Sequence, residues 1–177
     1  YRGDEDDVLD RFYQAAKSHD PDYVVRLTSD CPLIDPFLID EIIEATINSN
    51  VDYCSNTLIE SYPDGQDVEV FSFNSLKKAW EESVLISDRE HVTPYMKRNF
   101  KVLNIHSNNM KFNKVRMTVD EPNDFIVIKR LVEKLGLNEK WEDYTNLYLN
   151  DKTISNNNDS VTRNEGHIKS IKNDLLN

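Results

Sequence analysis

A chain of 177 residues, 38% hydrophobic and 30% charged, is long enough to bury the core of one ordinary domain. Its formal net charge of −11 argues against a nucleic-acid partner, because phosphate binding needs clustered Lys and Arg. No apolar run reaches bilayer length and no secretory leader opens the sequence, so neither a membrane partner nor export is expected. Cys31 and Cys54 are too few for a disulfide framework and lack zinc spacing, which points to a reducing cytoplasm. An acidic protein that handles an anionic substrate needs a local counter-charge, and a divalent cation is the usual one. Carboxylates at strand ends are therefore the residues to follow.

Residues 4–7 place four acids ahead of Val8, Leu9, Phe12, Ala15 and Ala16, a helix with negative charge at the positive end of its dipole. Residues 23–28 form a short β-rich run, broken at Ser29-Asp30-Cys31-Pro32. Asp35 followed by Pro36 predicts an N-cap and first turn, and the helix continues through Leu38, Ile39, Ile42, Ile43, Thr46 and Ile47. Residues 51–56 read as a strand and Tyr62-Pro63-Asp64-Gly65 as a turn. Residues 67–72 alternate, with Val68 and Val70 on one face, and a helix follows through Leu76, Ala79 and Trp80. Ser87-Asp88-Arg89-Glu90 has the form of a capping box, predicting a helix from near Asp88.

Residues 101–106 and 114–119 are expected strands. Pro122 then opens an amphipathic helix bearing Phe125, Ile128, Leu131, Val132 and Leu135, which stops at Gly136. Strands alternating with helices predict an α/β domain over residues 1–150, with an open, largely parallel sheet. Residues 151–163 are polar and Asn-rich, expected as a loop or linker. Ile168, Ile171 and Leu175 suggest one last helix, docked on the domain or on a partner.

In open α/β sheets ligands bind beyond the carboxyl ends of the strands. Asp30 lies just after one expected strand and Asp120 just after another. Two carboxylates meeting at one edge would hold a hard cation such as Mg²⁺. The plainer alternative is that each Asp caps a helix or shapes a turn. Asp67 and Glu69, on an alternating strand, are either sugar-hydroxyl acceptors or a solvated face. His91 is a structural or a functional imidazole. Arg26 and Arg116 would contact phosphate or carboxylate, or pair with local acids. Cys31 reads as a packing residue, since nothing nearby would make it a thiolate.

Several ordered motifs together resemble one family. They are Gly-Asp-Glu-Asp-Asp-Val-Leu-Asp-Arg-Phe at 3–12, Val-Arg-Leu-Thr-Ser-Asp-Cys-Pro-Leu-Ile-Asp-Pro at 25–36 and Tyr-Pro-Asp-Gly-Gln-Asp-Val-Glu-Val-Phe at 62–71. Arg-Glu-His-Val-Thr-Pro-Tyr at 89–95, Arg-Met-Thr-Val-Asp-Glu-Pro-Asn-Asp-Phe at 116–125 and Arg-Asn-Glu-Gly-His at 163–167 continue the pattern. The chain resembles the SpsF group of spore-coat-polysaccharide proteins, within the cytidylyltransferases and related to the CMP-Kdo and CMP-acylneuraminate synthetases.

The resemblance implies a three-layer nucleotide-diphosphosugar-transferase fold, an open mixed sheet with helices on both faces. It also implies transfer of CMP from CTP to an acidic sugar, releasing pyrophosphate. Asp30 and Asp120 match the family's magnesium ligands, while Asp67, Glu69 and His91 match its sugar-facing elements. The synthetase relatives are typically dimers, so a homodimer is the expected assembly. The family's opening strand and basic, Gly-containing phosphate loop have no counterpart here, so this stretch alone is expected to be inactive, the piece of an enzyme that lacks its triphosphate grip. The competing expectation is a truncated, non-catalytic paralogue serving as a binding module or scaffold. A glycosyltransferase of the same fold would carry a local Asp-x-Asp motif, and none stands in that context.

Overall fold

The structure, a computed structural model, describes residues 1–161 together with 163, 171 and 174. Local signals fix most helices. Helix α1 (Val8–Lys17) starts on Asp7, whose carboxylate accepts from the Asp10 amide, so the last of the four opening acids caps the helix. Helix α2 (Pro36–Ser49) is capped by Asp35, which accepts from the Phe37 amide at 2.8 Å, and ends on left-handed Asn50. Helix α3 (Phe73–Glu82) follows its strand directly, and α6 (Pro122–Leu135) ends at Gly136 as expected.

The capping box expected at Ser87 does not form. Helix α4 (Ile86–His91) begins two residues earlier than Asp88, with Ser87 and Asp88 buried inside it. Asp88 instead takes both its bonds from Arg98 of helix α5 (Pro94–Asn99), at 2.8 and 2.7 Å. A buried carboxylate whose two oxygens share one guanidinium nitrogen, Arg98 Nη2, gains more from that charged bond than from capping an exposed end.

The sheet departs from the parallel expectation. Its strands β1 (Tyr23–Arg26), β2 (Tyr53–Ser55), β3 (Glu69–Ser72) and β4 (Val102–Asn104) lie in the order β1-β3-β2-β4. Strand β3 is antiparallel to both β1 and β2, and only β2 and β4 pair in parallel. Alternation of strands with helices does not reveal this reversal, because β3 returns after the long excursion that follows β2. Residues 114–119 form no strand; Arg116 makes a single bridge to Asp64. They are anchored to a turn, and a turn offers no ladder to extend.

Both faces of the sheet are covered, which makes the fold three-layered. Cys54, Val68 and Val70 pack against Leu38 and Ile42 of α2, while Tyr53 and Phe71 pack against Leu9, Leu76, Ala79 and Met96 on the other face. A third cluster joins Val115, Met117, Val127 and Leu131 to Tyr144 and Tyr148 of helix α7 (Trp141–Asn150), an element the sequence reading had passed over. The polar stretch after residue 150, expected as linker, begins with helix α8 (Lys152–Ser155), whose Ile154 is fully buried in that cluster. The expected final helix lies largely outside the described residues.

Gly65 fixes one close approach. It sits at φ +100°, and a Cβ there would stand 2.6 Å from the Met117 carbonyl carbon. That contact lets the Asp64 amide donate to Val115 O at 2.9 Å and the Met117 amide donate to Asp64 O at 2.7 Å.

Ile154→Ala tests whether α8 belongs to the core. Loss of a fully buried Ile should cost about 2–5 kcal/mol in a urea unfolding measurement, whereas a linker residue would cost almost nothing.

Candidate active site

Because β3 runs against β1, β2 and β4, the carboxyl ends of β1 and β2 meet the start of β3 at one rim. A cavity of about 730 Å³ opens there. All seven residues singled out from the sequence, Arg26, Asp30, Asp67, Glu69, His91, Arg116 and Asp120, line it.

Asp30 and Asp120 reach the same cavity by a route other than neighbouring strands. Asp30 sits in a turn closed by the Cys31 amide donating to Thr28 O. Its carbonyl accepts from the Val119 amide at 2.8 Å, and its Oδ2 accepts from the Thr118 hydroxyl at 3.1 Å. Asp120 follows immediately. Neither residue caps a helix, since α2 is capped by Asp35 and α6 by Glu121. The Asp120 side chain is 53% exposed. Two accessible hard-oxygen donors on one wall suit a cation that keeps several waters. Among the described residues no group of three or more His, Cys, Asp or Glu could hold a metal ion. A cation at this pair would therefore draw its other ligands from water and substrate phosphate.

Arg116 is spoken for. Its Nε donates to Asp124 Oδ1, its Nη1 to Asp64 Oδ2, and its Nη2 to Asp120 Oδ2 and Asp124 Oδ2, all at 2.7 to 2.9 Å. Four of a guanidinium's five donors are used, which leaves little for the phosphate contact expected of it. Burial would raise the Asp124 carboxyl, but Arg116, Asn158 and the Glu121 and Asp120 amides hold it at about 2. Asn158 closes the network, donating to Asp124 Oδ1 at 2.8 Å and to Arg116 O at 3.2 Å.

Glu69 is the opposite case. It is 4% exposed, so the solvated-face alternative fails. Its carboxylate accepts from Arg26 Nη1 (2.5 Å), the Tyr53 hydroxyl (2.6 Å) and the Thr93 hydroxyl (2.7 Å), and pairs with Lys97 Nζ (3.0 Å). Four donors fill the acceptor sites that a sugar hydroxyl would have used. Burial would raise this carboxyl too; Lys97 and Arg26 with the two hydroxyls bring it down to about 2.

Asp67 takes Arg163 Nη2 on Oδ1 at 2.5 Å, and burial nevertheless pushes its carboxyl up to about 6. The same Arg163 reaches Asp64 at 3.5 Å. His91 ends α4, and the chain then makes a γ-turn. Val92 sits at φ 71°, ψ −52°, with the Thr93 amide donating to His91 O at 2.8 Å. A β-branched residue at positive φ is strained, and such strain collects at functional sites. Here it sets His91 and Thr93 in succession on the cavity wall. Burial pushes the Cys31 thiol up to about 12, in keeping with a packing role.

A family profile described as cytidylyltransferase matches residues 1–158. The chain belongs to the cytidylyltransferase family. Over 141 residues, 77% of the chain, it is 42% identical to an uncharacterised protein of Methanocaldococcus jannaschii. It is 32% identical, over the same share, to the spore coat polysaccharide biosynthesis protein SpsF of Bacillus subtilis. The chain spans 57% and 58% of the length of these two curated relatives. A solved cytidylyltransferase from Leptospira borgpetersenii superposes with a TM-score of 0.81 at 27% identity, over 92% of this chain and 69% of that one. No helix among the described residues is long and apolar enough to cross a membrane.

Sequence reasoning missed several residues of this cytidylyltransferase cavity. Lys97 drew no reading of its own, and Thr93 appeared only inside the motif at 89–95. Arg163 carried one signal, its place in the tail motif shared with the family.

Removing Arg116 leaves Asp124 without its cation and Asp64 with only the longer pair to Arg163. Arg116→Met should cost about 3–5 kcal/mol by urea unfolding. The Glu69 carboxyl lies at about 2 in the folded protein against an ordinary 4.5, so its charge stabilises the fold above pH 4.5 and that contribution fades as pH falls towards 2. The stability gap between wild type and Glu69→Gln should therefore be widest above pH 4.5 and narrow towards pH 2; a gap independent of pH would contradict the assignment.

Proposed function

We propose that the full-length protein is a magnesium-dependent sugar cytidylyltransferase of polysaccharide or glycan biosynthesis, acting in the cytoplasm. A hydroxyl oxygen of an acidic sugar bonds to the α-phosphorus of CTP, pyrophosphate leaves with the electron pair of the broken P–O bond, and the hydroxyl proton is lost. What supports this reading is that Asp30 and Asp120 line one strand-end cavity, with Asp30 tied to Thr118 and Val119 just ahead of Asp120, in a chain of this family.

Asp30 and Asp120 are the residues that would hold Mg²⁺, which when bound supplies Lewis-acid stabilisation of charge on the phosphate oxygens. The chain's own part is positioning. Thr118 orients Asp30, and Arg116 orients Asp120. Asp67, raised to about 6 and held by Arg163, keeps an acceptor edge for sugar hydroxyls at the same cavity. His91 and Thr93 are set on the same cavity by the γ-turn between them. No covalent enzyme intermediate is needed for an in-line displacement of this kind.

Pyrophosphate release from CTP, measured on the full-length protein with Mg²⁺ and a panel of sugars, tests the reading. Turnover is expected with acidic sugars, with loss on chelation. Asp30→Asn and Asp120→Asn should each lower kcat/KM roughly a hundredfold or more. No release with any sugar, or full activity in Asp120→Asn, would remove it.

A further inference from the structure

The wall of the cavity is acidic overall, with one corner of the other sign. Arg116 faces the carboxylates of Asp64, Asp120 and Asp124, and Arg163 faces those of Glu60, Asp64 and Asp67. At Glu69 the ratio is reversed. Arg26 from β1 and Lys97 from α5 both reach this single carboxylate, at 2.5 and 3.0 Å. Two permanent cations share one anion, so the corner carries a surplus of one positive charge.

Neither cation has exhausted its donors. Arg26 gives Glu69 only Nη1, and its side chain keeps 20% exposure. Lys97 has three N–H donors on one ammonium, and its side chain is 31% exposed. Both residues line the cavity. Glu69 is held in turn by Tyr53 and Thr93, so the two cations are fixed in place before any ligand arrives.

We infer that Arg26 and Lys97 form an oxyanion seat, set by Glu69, that takes the carboxylate of the acidic sugar. The inference deepens the transferase reading and rests on it. A guanidinium edge beside an ammonium suits a planar carboxylate. The surplus of one charge matches a monoanion, whereas a triphosphate carries several charges and requires more cation than this corner offers. Glu69 is a positioning residue that acts through the pair.

The test uses the full-length protein, with N-acetylneuraminate, 3-deoxy-manno-octulosonate and their methyl esters as probes. Isothermal titration should show wild type preferring each effective acid over its ester by tenfold or more. Lys97→Met should raise KM for the sugar at least tenfold, leave KM for CTP within twofold and erase the preference for acid over ester; Lys97→Arg should restore most of both. Lys97→Met leaves Arg26, Tyr53 and Thr93 on Glu69, and a circular dichroism melt checks that the fold is kept. Equal affinity of wild type for acid and ester would overturn the seat, as would a KM change confined to CTP, which would place a phosphate there. Pyrophosphate release with neutral sugars together with equal acid and ester affinity sinks the seat and spares the transferase. Absence of release with every sugar sinks the transferase, and the titration still decides on the seat.

Discussion

One guanidinium holds the cavity wall together. Arg116 bonds carboxylates from the turn before β3, from the loop that carries Asp120 and from helix α6. Taking these charges out of water is expensive, and only close pairing with further hydrogen bonds offsets the penalty. The bond from Asn158 and the two backbone amides to Asp124 supply that remainder. Because Asp64 is 52 residues from Arg116 while Asp120 and Asp124 are 4 and 8 residues from it, the arrangement ties the turn before β3 to the start of α6. Asp120 inherits its place from it.

A second ionic centre, at Glu69, obeys the same rule with the signs exchanged. Here one anion is surrounded by two cations and two hydroxyls. Both centres line one cavity, giving it an acidic wall and a basic corner. Such a polarised cleft orients a ligand that is itself charged at one end. Gly65 and the strained turn at Val92 are the backbone adjustments that let both centres face the same space.

Much of the fold was legible because the relevant signals are local. Asp7, Asp35 and Gly136 bound their helices through contacts within a few residues, which sequence displays directly. Strand direction was not legible, since β3 pairs with segments far away on either side. Residues 114–119 had strand composition, yet their partners are Asp64 and Asp30 in turns, so no ladder grows. Helix α7 escaped because its inward residues, Tyr144, Thr145 and Tyr148, are amphipathic or polar in composition. For the site, the motifs brought the right residues together, but not their duties. Whether a carboxylate such as Glu69 is free or saturated depends on donors from β1, β2, α5 and the γ-turn, none adjacent to it in sequence. Lys97 could be seen as important only once Glu69 was known to be buried.

Asn158 has a bearing on how the molecule is made. It is almost wholly buried, it receives the Tyr148 hydroxyl, and it donates into the ion cluster around Arg116. During synthesis the residues of that cluster leave the ribosome long before Asn158 does. Until then a nascent chain carries Asp124 short of a donor, and the cleft stays unfinished. Synthesis therefore completes the ion cluster around Arg116 only once residue 158 has been added.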